Sequence, residues 1–242
     1  TALVFGVITS DTISNNNSIT YTLTSPSVPT VGLRFNVSVI NPYSEITGYT
    51  PSRPNLAGPG PLNFNETLNN TGDTARMIMY VISPATINDK GVQNCPGIND
   101  TIRLWINPTP RATTINAVPE MCYGQAINIT LNSPTVMTKG AIRFDYYSDV
   151  TDPGLVGTLP TAADQFTGQF TYTYQNNTDT IQSVNYHITP DNILCSTGPE
   201  QTIEVKVHPH PLQSMSPTRV FTCSGGSDGT LTAILSRGSK DD

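Results

Sequence analysis

The feature that most constrains this chain is that it contains itself. Residues 19–26, from Ile19 to Ser25-Pro26, line up with residues 127–134, from Ile127 to Ser133-Pro134, and Arg34-Phe35 then matches Arg143-Phe144. At one constant offset Phe64, Thr67, Asn70, Asp73, Thr74, Tyr80, Ile82 and Pro84 meet Phe170, Thr173, Asn176, Asp179, Thr180, Tyr186, Ile188 and Pro190. Ile102 to Pro108 and Pro110 match Ile203 to Pro209 and Pro211. The offset drifts from 108 to 101, as loop insertions and deletions produce. Whatever fold forms must therefore be complete in about 105 residues and occur twice, a size typical of one sandwich domain.

Within each copy the hydrophobic period is two, the signature of half-buried strands. Ile127, Ile129 and Leu131 alternate with Asn128, Thr130 and Asn132, and Ile142, Phe144 and Tyr146 with Arg143 and Asp145. Val184, Tyr186 and Ile188 alternate with Asn185 and His187, and Ile203, Val205 and Val207 with Glu204 and Lys206. The 20 Pro and 18 Gly interrupt these runs at short intervals. The expected class is all-β: tandem antiparallel β-sandwiches in an extended array, with copies at 1–111 and 112–212. Residues 213–242 read as the start of a third, truncated copy, because Cys223-Ser224-Gly225 echoes Cys122-Tyr123-Gly124. A Gly-rich turn there precedes a strand expected at 230–235. Both ends of the chain read as cuts in something longer.

Each copy closes on Pro-x-Pro (Pro108 and Pro110, Pro209 and Pro211), which fixes φ and restricts the preceding residue. It serves either as a strand terminator or as a stiff spacer between domains. Cysteines stand at 95, 122, 195 and 223. Cys122 precedes the second copy's first alternating strand and Cys195 follows its Tyr186 strand, so a Cys122–Cys195 disulfide is expected, worth roughly 4 kcal/mol in the chain-entropy model. Cys95 and Cys223 are expected unpaired. The alternative is four reduced thiols.

Only 12% of the 242 residues are charged, with 35 Thr, 21 Asn and 19 Ser in their place, and the net charge is −6. Without a basic run, phosphate neutralisation has no basis, so no nucleic-acid partner is expected. No apolar stretch approaches the roughly 18 residues of a membrane helix, so no membrane insertion is expected in this segment. Catalysis has no motif: no nucleophile elbow, zinc helix or phosphate loop appears. No cofactor or metal is expected. The histidines are His187, on an outer strand face, and His208 and His210 in the linker, where they read as solvated. Asp145, Asp149 and Asp152 fit no calcium-loop spacing. Carboxylate pairs for glycoside hydrolysis have nothing specific pointing to them.

One asymmetry between the copies carries information. Met77, Met79 and Val81 stand where the second copy has Ser183, Asn185 and His187, and Arg103 and Trp105 where it has Glu204 and Lys206. If the two strands pair, the first copy shows a Met/Trp contact patch. The alternative is that residues 49–62, rich in Pro and Gly, fold over it.

The order of these parts (Cys-x-Gly start, alternating strands, Tyr-x-x-x-Pro strand, second Cys, Asn-Pro-Thr-Pro) resembles the PKD-like and immunoglobulin-like repeats of very large Bacteroidota surface proteins. Residues 221–233 look like the opening of a repeat from the SprB-type gliding-motility adhesins. The first copy departs from the pattern by lacking its opening cysteine. The resemblance implies export by a type IX system, an extracellular place at the outer-membrane surface, and a role in adhesion or gliding. It also draws attention to Thr12, Thr74, Thr101 and Thr180, each preceded by Asp, as O-glycosylation candidates. The plain alternative is that Asp-Thr pairs are common in a Thr-rich chain. Sequons such as Asn36, Asn65, Asn69 and Asn176 matter only in a eukaryotic secretory protein, which is a third reading. The expected role is a stalk segment whose partners are neighbouring repeats, with surface polysaccharide and other adhesin subunits as further candidates. The rival is a carbohydrate-binding or accessory module using Trp105.

Overall fold

The computed structural model describes residues 2–8, 10–116, 118–150, 152–193, 197–217 and 231–236. Every regular element among them is a strand. The first copy contains β1 (Phe5–Ile8), β2 (Thr12–Ser14), β3 (Asn17–Thr24), β4 (Leu33–Ile40), β5 (Ile46–Thr47), β6 (Ser52–Ala57), β7 (Leu62–Asn70), β8 (Arg76–Ile87), β9 (Gln93–Pro96) and β10 (Asp100–Asn107). The second contains β11 (Thr113–Asn116), β12 (Glu120–Met121), β13 (Ala126–Asn132), β14 (Arg143–Val150), β15 (Leu155–Gly157), β16 (Thr161–Gln165), β17 (Gly168–Asn176), β18 (Gln182–Asp191) and β19 (Gln201–Val207). A separate two-stranded ladder pairs β20 (Leu212–Pro217) with β21 (Leu231–Ser236).

The two sandwiches have the same strand order. One sheet runs β1-β3-β7-β5 in the first and β11-β13-β17-β15 in the second. The other runs β2-β10-β8-β4-β6, with β9 beside β8, and β12-β19-β18-β14-β16. In both, the short strand after the first edge crosses to the second sheet and pairs parallel with the last strand, β2 with β10 and β12 with β19. The inner four-and-three strand arrangement is that of immunoglobulin-like sandwiches. The chain is all-β with immunoglobulin-like sandwiches, and the period-two positions are the core. Tyr21, Phe35, Leu68, Ile78, Tyr80 and Leu104 are buried in the first, and Phe144, Tyr174, Val184, Tyr186 and Val205 in the second. Burial of each such side chain contributes about 1.5–3 kcal/mol.

Two local devices recur. At the end of β7, buried Asn70 donates from Nδ2 to the carbonyls of Thr74 and Ile106, while its Oδ1 accepts the Gly72 N–H. Asn176 does the same at the end of β17, with Thr180, Val207 and Thr178. One amide thus closes a turn and ties it to the last strand, satisfying carbonyls that burial would otherwise leave unpaired. The second device is a bulge between β4 and β6 and between β14 and β16. It places Asn55 and Asp164 at φ near +58°, where Asn and Asp are tolerated best, and their N–H groups bond the side chains of Asn36 and Asp145, both at 2.8 Å. Gly48, at φ +90°, passes against the Thr67 carbonyl where a Cβ would collide.

The chain divides into two compact units. One comprises Thr1–Arg111 with Pro134–Ile142 and Asp191–Gly198; the other comprises Ala112–Ser133, Arg143–Pro190 and Pro199–Asp242. The loop after β13 therefore belongs by its contacts to the first unit, for the reason given below.

Candidate binding site

β10 pairs antiparallel with β8 and sets Trp105 opposite Met77, Arg103 opposite Met79 and Thr101 opposite Val81. Side chains alternate across a strand, so with Ile78, Tyr80 and Leu104 buried these six residues share the outer face. Trp105 is 39% exposed. Met77, Met79 and Val81 are half-buried and Arg103 is exposed. On the other side Trp105 meets Thr12 of β2, and its N–H donates to the Asp11 carbonyl at 2.9 Å. Residues 49–62 do not lie over this row. Of them, Ser52–Ala57 form β6, three strands away on the opposite edge of the sheet and paired there with β4.

What flanks Trp105 is the segment Pro134–Ile142. Val136 pairs in parallel with Thr74: its N–H donates to the Asp73 carbonyl at 2.8 Å, and its carbonyl accepts the Ala75 N–H at 2.8 Å. The Thr138 N–H bonds Asn107 Oδ1 at 2.9 Å, and Arg111 pairs with Asp73 at 3.0 Å. These contacts build a groove of about 500 Å³ lined by Thr12, Thr74, Trp105, Val136, Met137 and Lys139, among others, all within the first unit. Its lining combines the apolar Trp105, Val136 and Met137 with the hydroxyl-bearing Thr12 and Thr74 and the charged Asp11 and Lys139. Thr138 Oγ1 is buried in the wall with no hydrogen-bond partner among the described residues. An indole with polar groups around it can hold the flat apolar face of a sugar ring or a partner's side chain.

The buried carboxylate of the first unit has a different role. Glu66 Oε1 accepts from Arg53 and from the Thr50 N–H at 3.0 Å each, and Oε2 accepts the Tyr80 hydroxyl at 2.6 Å. Arg53 also donates to the Tyr21 hydroxyl at 3.1 Å. Burial, then the bond to Glu66, pushes the Tyr80 phenol far above its ordinary range. With its oxygens occupied inside the sandwich, Glu66 is a strut. The second copy puts Tyr172 in its register position and bonds Tyr174 to Tyr186 at 2.9 Å instead.

In the second unit the histidines are engaged, not merely solvated. His187 stacks on Tyr147 at 4.5 Å and places Nδ1 2.9 Å from Glu200 and Nε2 3.5 Å from Asp149. His208 approaches Glu120 at 3.3 Å, and His210 packs edge-on against Tyr123 at 4.7 Å. Asp145, Asp149 and Asp152 are spent separately, on the Asp164 N–H, on Asn185 and on the Gly154 N–H. No group of three His, Cys, Asp or Glu residues is placed to hold a metal among the described residues.

Of the Asp-Thr positions, Thr180 is exposed while Thr12, Thr74 and Thr101 are half-buried, and Thr12 and Thr74 line the groove. Asn176 is fully buried with its amide bonded twice, which leaves no room for a glycan there. Cys95 and Cys122 are exposed. Cys195 and Cys223 lie outside the described residues, and Cys122 is a free cysteine here, not bridged as expected to Cys195. Sequence reasoning missed the groove wall, since nothing in residues 134–142 signals contact with Thr74. It also gave no role to Asn70 and Asn176, although their match was visible.

No protein-family model matches the chain, and no curated protein matches it. Among solved structures the chain is similar to the Escherichia coli adhesin FdeC, at 12% identity and TM-score 0.45, over 84% of its own length and 63% of that chain. It thus spans less than two thirds of that structure. It is similar to the D0-D1 domain of intimin, at 14% identity and TM-score 0.25, over 84% and 99% of the two chains. It is also similar to fibronectin(III)-like modules of Clostridium thermocellum CbhA, at 12% identity and TM-score 0.27, over 84% and 93%. The architecture rests on the chain's own strand order.

Proposed function

We propose that this chain is a repeat segment of a long surface adhesin or filament, forming a semi-rigid stalk that supports cell-surface adhesion or gliding motility. The observation that carries this reading is the duplication: one sandwich, with its Asn turn and its Asx-bonded bulge, appears twice with a Pro-x-Pro at each end. A binding or catalytic protein needs one site, whereas a spacer gains reach from every added copy. Its place is extracellular, at a bacterial outer-membrane surface reached by type IX export, with neighbouring repeats as first partners and an O-glycan at Thr180. The protein is not an enzyme in this reading, and its sparse charge suits exposure to proteases. Antibodies to this segment should label intact source cells, and deleting it in frame should impair attachment or spreading without slowing growth. Label confined to permeabilised cells overturns the reading.

The groove beside Trp105 favours a second reading, a carbohydrate-binding module whose platform is the indole. A polysaccharide screen with Trp105→Ala alongside separates the two. Saturable binding lost in the variant makes this segment adhesive; no binding at millimolar ligand leaves it a spacer.

A further inference from the structure

The two sandwiches differ at one end of their cores. In the first, Leu56 stands opposite Phe35 across β4 and β6, and Leu62 opposite Leu23 across β3 and β7. Both leucines pack against the core. The second copy keeps Phe35 and Leu23 as Phe144 and Leu131 but changes what faces them. Gln165 stands opposite Phe144, and Gly168 opposite Leu131. One aliphatic side chain has become an amide and the other a hydrogen.

A cavity of about 320 Å³ stands at that end of the second sandwich, lined by Leu131, Tyr146, Gln165, Phe166, Gln169 and Phe170, among others. All six belong to the second unit. The apolar part of the lining is aromatic: Tyr146 and Phe170 stack at 4.6 Å with 15° between their planes, and Phe166 is 62% exposed. The polar part is amide and hydroxyl. Gln165 donates from Nε2 to the Ala163 carbonyl at 2.7 Å, which leaves its Oε1 to accept. The exposed Thr167 and Gln169 also line the cavity, and no side-chain hydrogen bond engages either among the described residues. No charged side chain lines it among those residues.

These groups set the chemistry of a ligand. Aromatic rings take up apolar C–H surface, while an amide offers both a donor and an acceptor, as a sugar hydroxyl does. A charged ligand would lose its water there and gain no counter-charge. The volume falls at the lower end of the range for small-ligand sites. We propose that this end of the second sandwich binds one ring of a neutral saccharide. The cavity shares no lining residue with the groove beside Trp105, and the inference rests neither on that groove nor on the stalk reading.

Nuclear magnetic resonance titration of the isotope-labelled chain tests it, with methyl glucoside, methyl galactoside, methyl mannoside and N-acetylglucosamine as neutral probes and glucuronate as the charged one. At least one neutral probe should saturably shift the backbone signals of residues 165–170, and glucuronate should not. Gly168→Leu restores the first copy's leucine, and a Cβ there meets only the Phe166 carbonyl, at 3.9 Å. It should abolish the shifts and raise the melting temperature by filling the cavity. Gln169→Ala trims an exposed side chain and should weaken binding about three- to tenfold with circular dichroism unchanged. Trp105→Ala should leave these shifts intact. No saturable shift with any neutral probe, binding that persists in Gly168→Leu, equal binding of glucuronate, or shifts lost in Trp105→Ala overturns the proposal. So does concentration-dependent association that Gly168→Leu abolishes, which gives the cavity to an apolar side chain of a second copy.

Discussion

At the scale of single residues, two asparagines and one glutamate hold what the apolar core cannot. Asn176 bonds the carbonyls of Thr180 and Val207 from within the sandwich, while its neighbour Asn177 is exposed. Asn176→Ala leaves those carbonyls without the amide and should lower stability by about 2–4 kcal/mol in urea unfolding, whereas Asn177→Ala should stay within about 0.5 kcal/mol. Glu66→Leu strands Arg53, the Tyr80 hydroxyl and the Thr50 N–H, and should cost about 3 kcal/mol in the same measurement. The match of Asn70 with Asn176 was legible in the sequence; the job they do was not, because their bond partners are carbonyls, which every residue has. Exposure also ranks the Asp-Thr positions. Peptide mapping of protein from its source should find an O-glycan on Thr180 ahead of Thr12, Thr74 and Thr101.

At the scale of strands, β8 and β18 bring tyrosines to the inner face, where Tyr80 meets Tyr21 at 5.0 Å and Tyr186 meets Phe170 at 5.7 Å. Burial raises the phenols of Tyr21, Tyr80, Tyr174 and Tyr186, and burial with the Tyr172 bond pushes Tyr146 up to about 12. Below the ordinary phenol value near 10 both folded and unfolded chains keep these protons. Between that value and about 12 the unfolded chain releases the Tyr146 proton and the fold retains it, so stability is lost as pH rises through that window. Unfolding free energy should be level up to about pH 10 and fall above it. In an ultraviolet titration, at least five of the ten tyrosines should ionise only as the circular dichroism signal is lost. The strands themselves were legible, since a period of two assigns each side chain to a face, and Met77, Met79, Val81, Arg103 and Trp105 do share the outer one. The bulge between β4 and β6 was not legible, because it turns on Asn55 adopting a positive φ that its neighbours do not dictate.

At the scale of the molecule, residues 134–142 follow β13 of the second sandwich yet belong by contact to the first unit. The sole tryptophan, Trp105, reports on that unit. Val136→Pro removes the N–H that bonds the Asp73 carbonyl and should lower the fluorescence-detected unfolding free energy by about 1 kcal/mol. Unfolding of the second sandwich, followed by the ring signal of its tyrosines, should be unchanged. The sequence by itself determined the fold class, the duplication and the faces of the strands, because alternation and self-similarity are written in residue order and need no partner to be read. Only the tertiary structure decided that a groove forms beside Trp105 and that one Asx side chain serves each bulge. It alone decided that Gly168 pairs with Leu131 where the first copy sets Leu62 opposite Leu23. Those outcomes depend on backbone groups meeting across long stretches of chain, and a backbone N–H or carbonyl carries no mark in the sequence of where its partner will be.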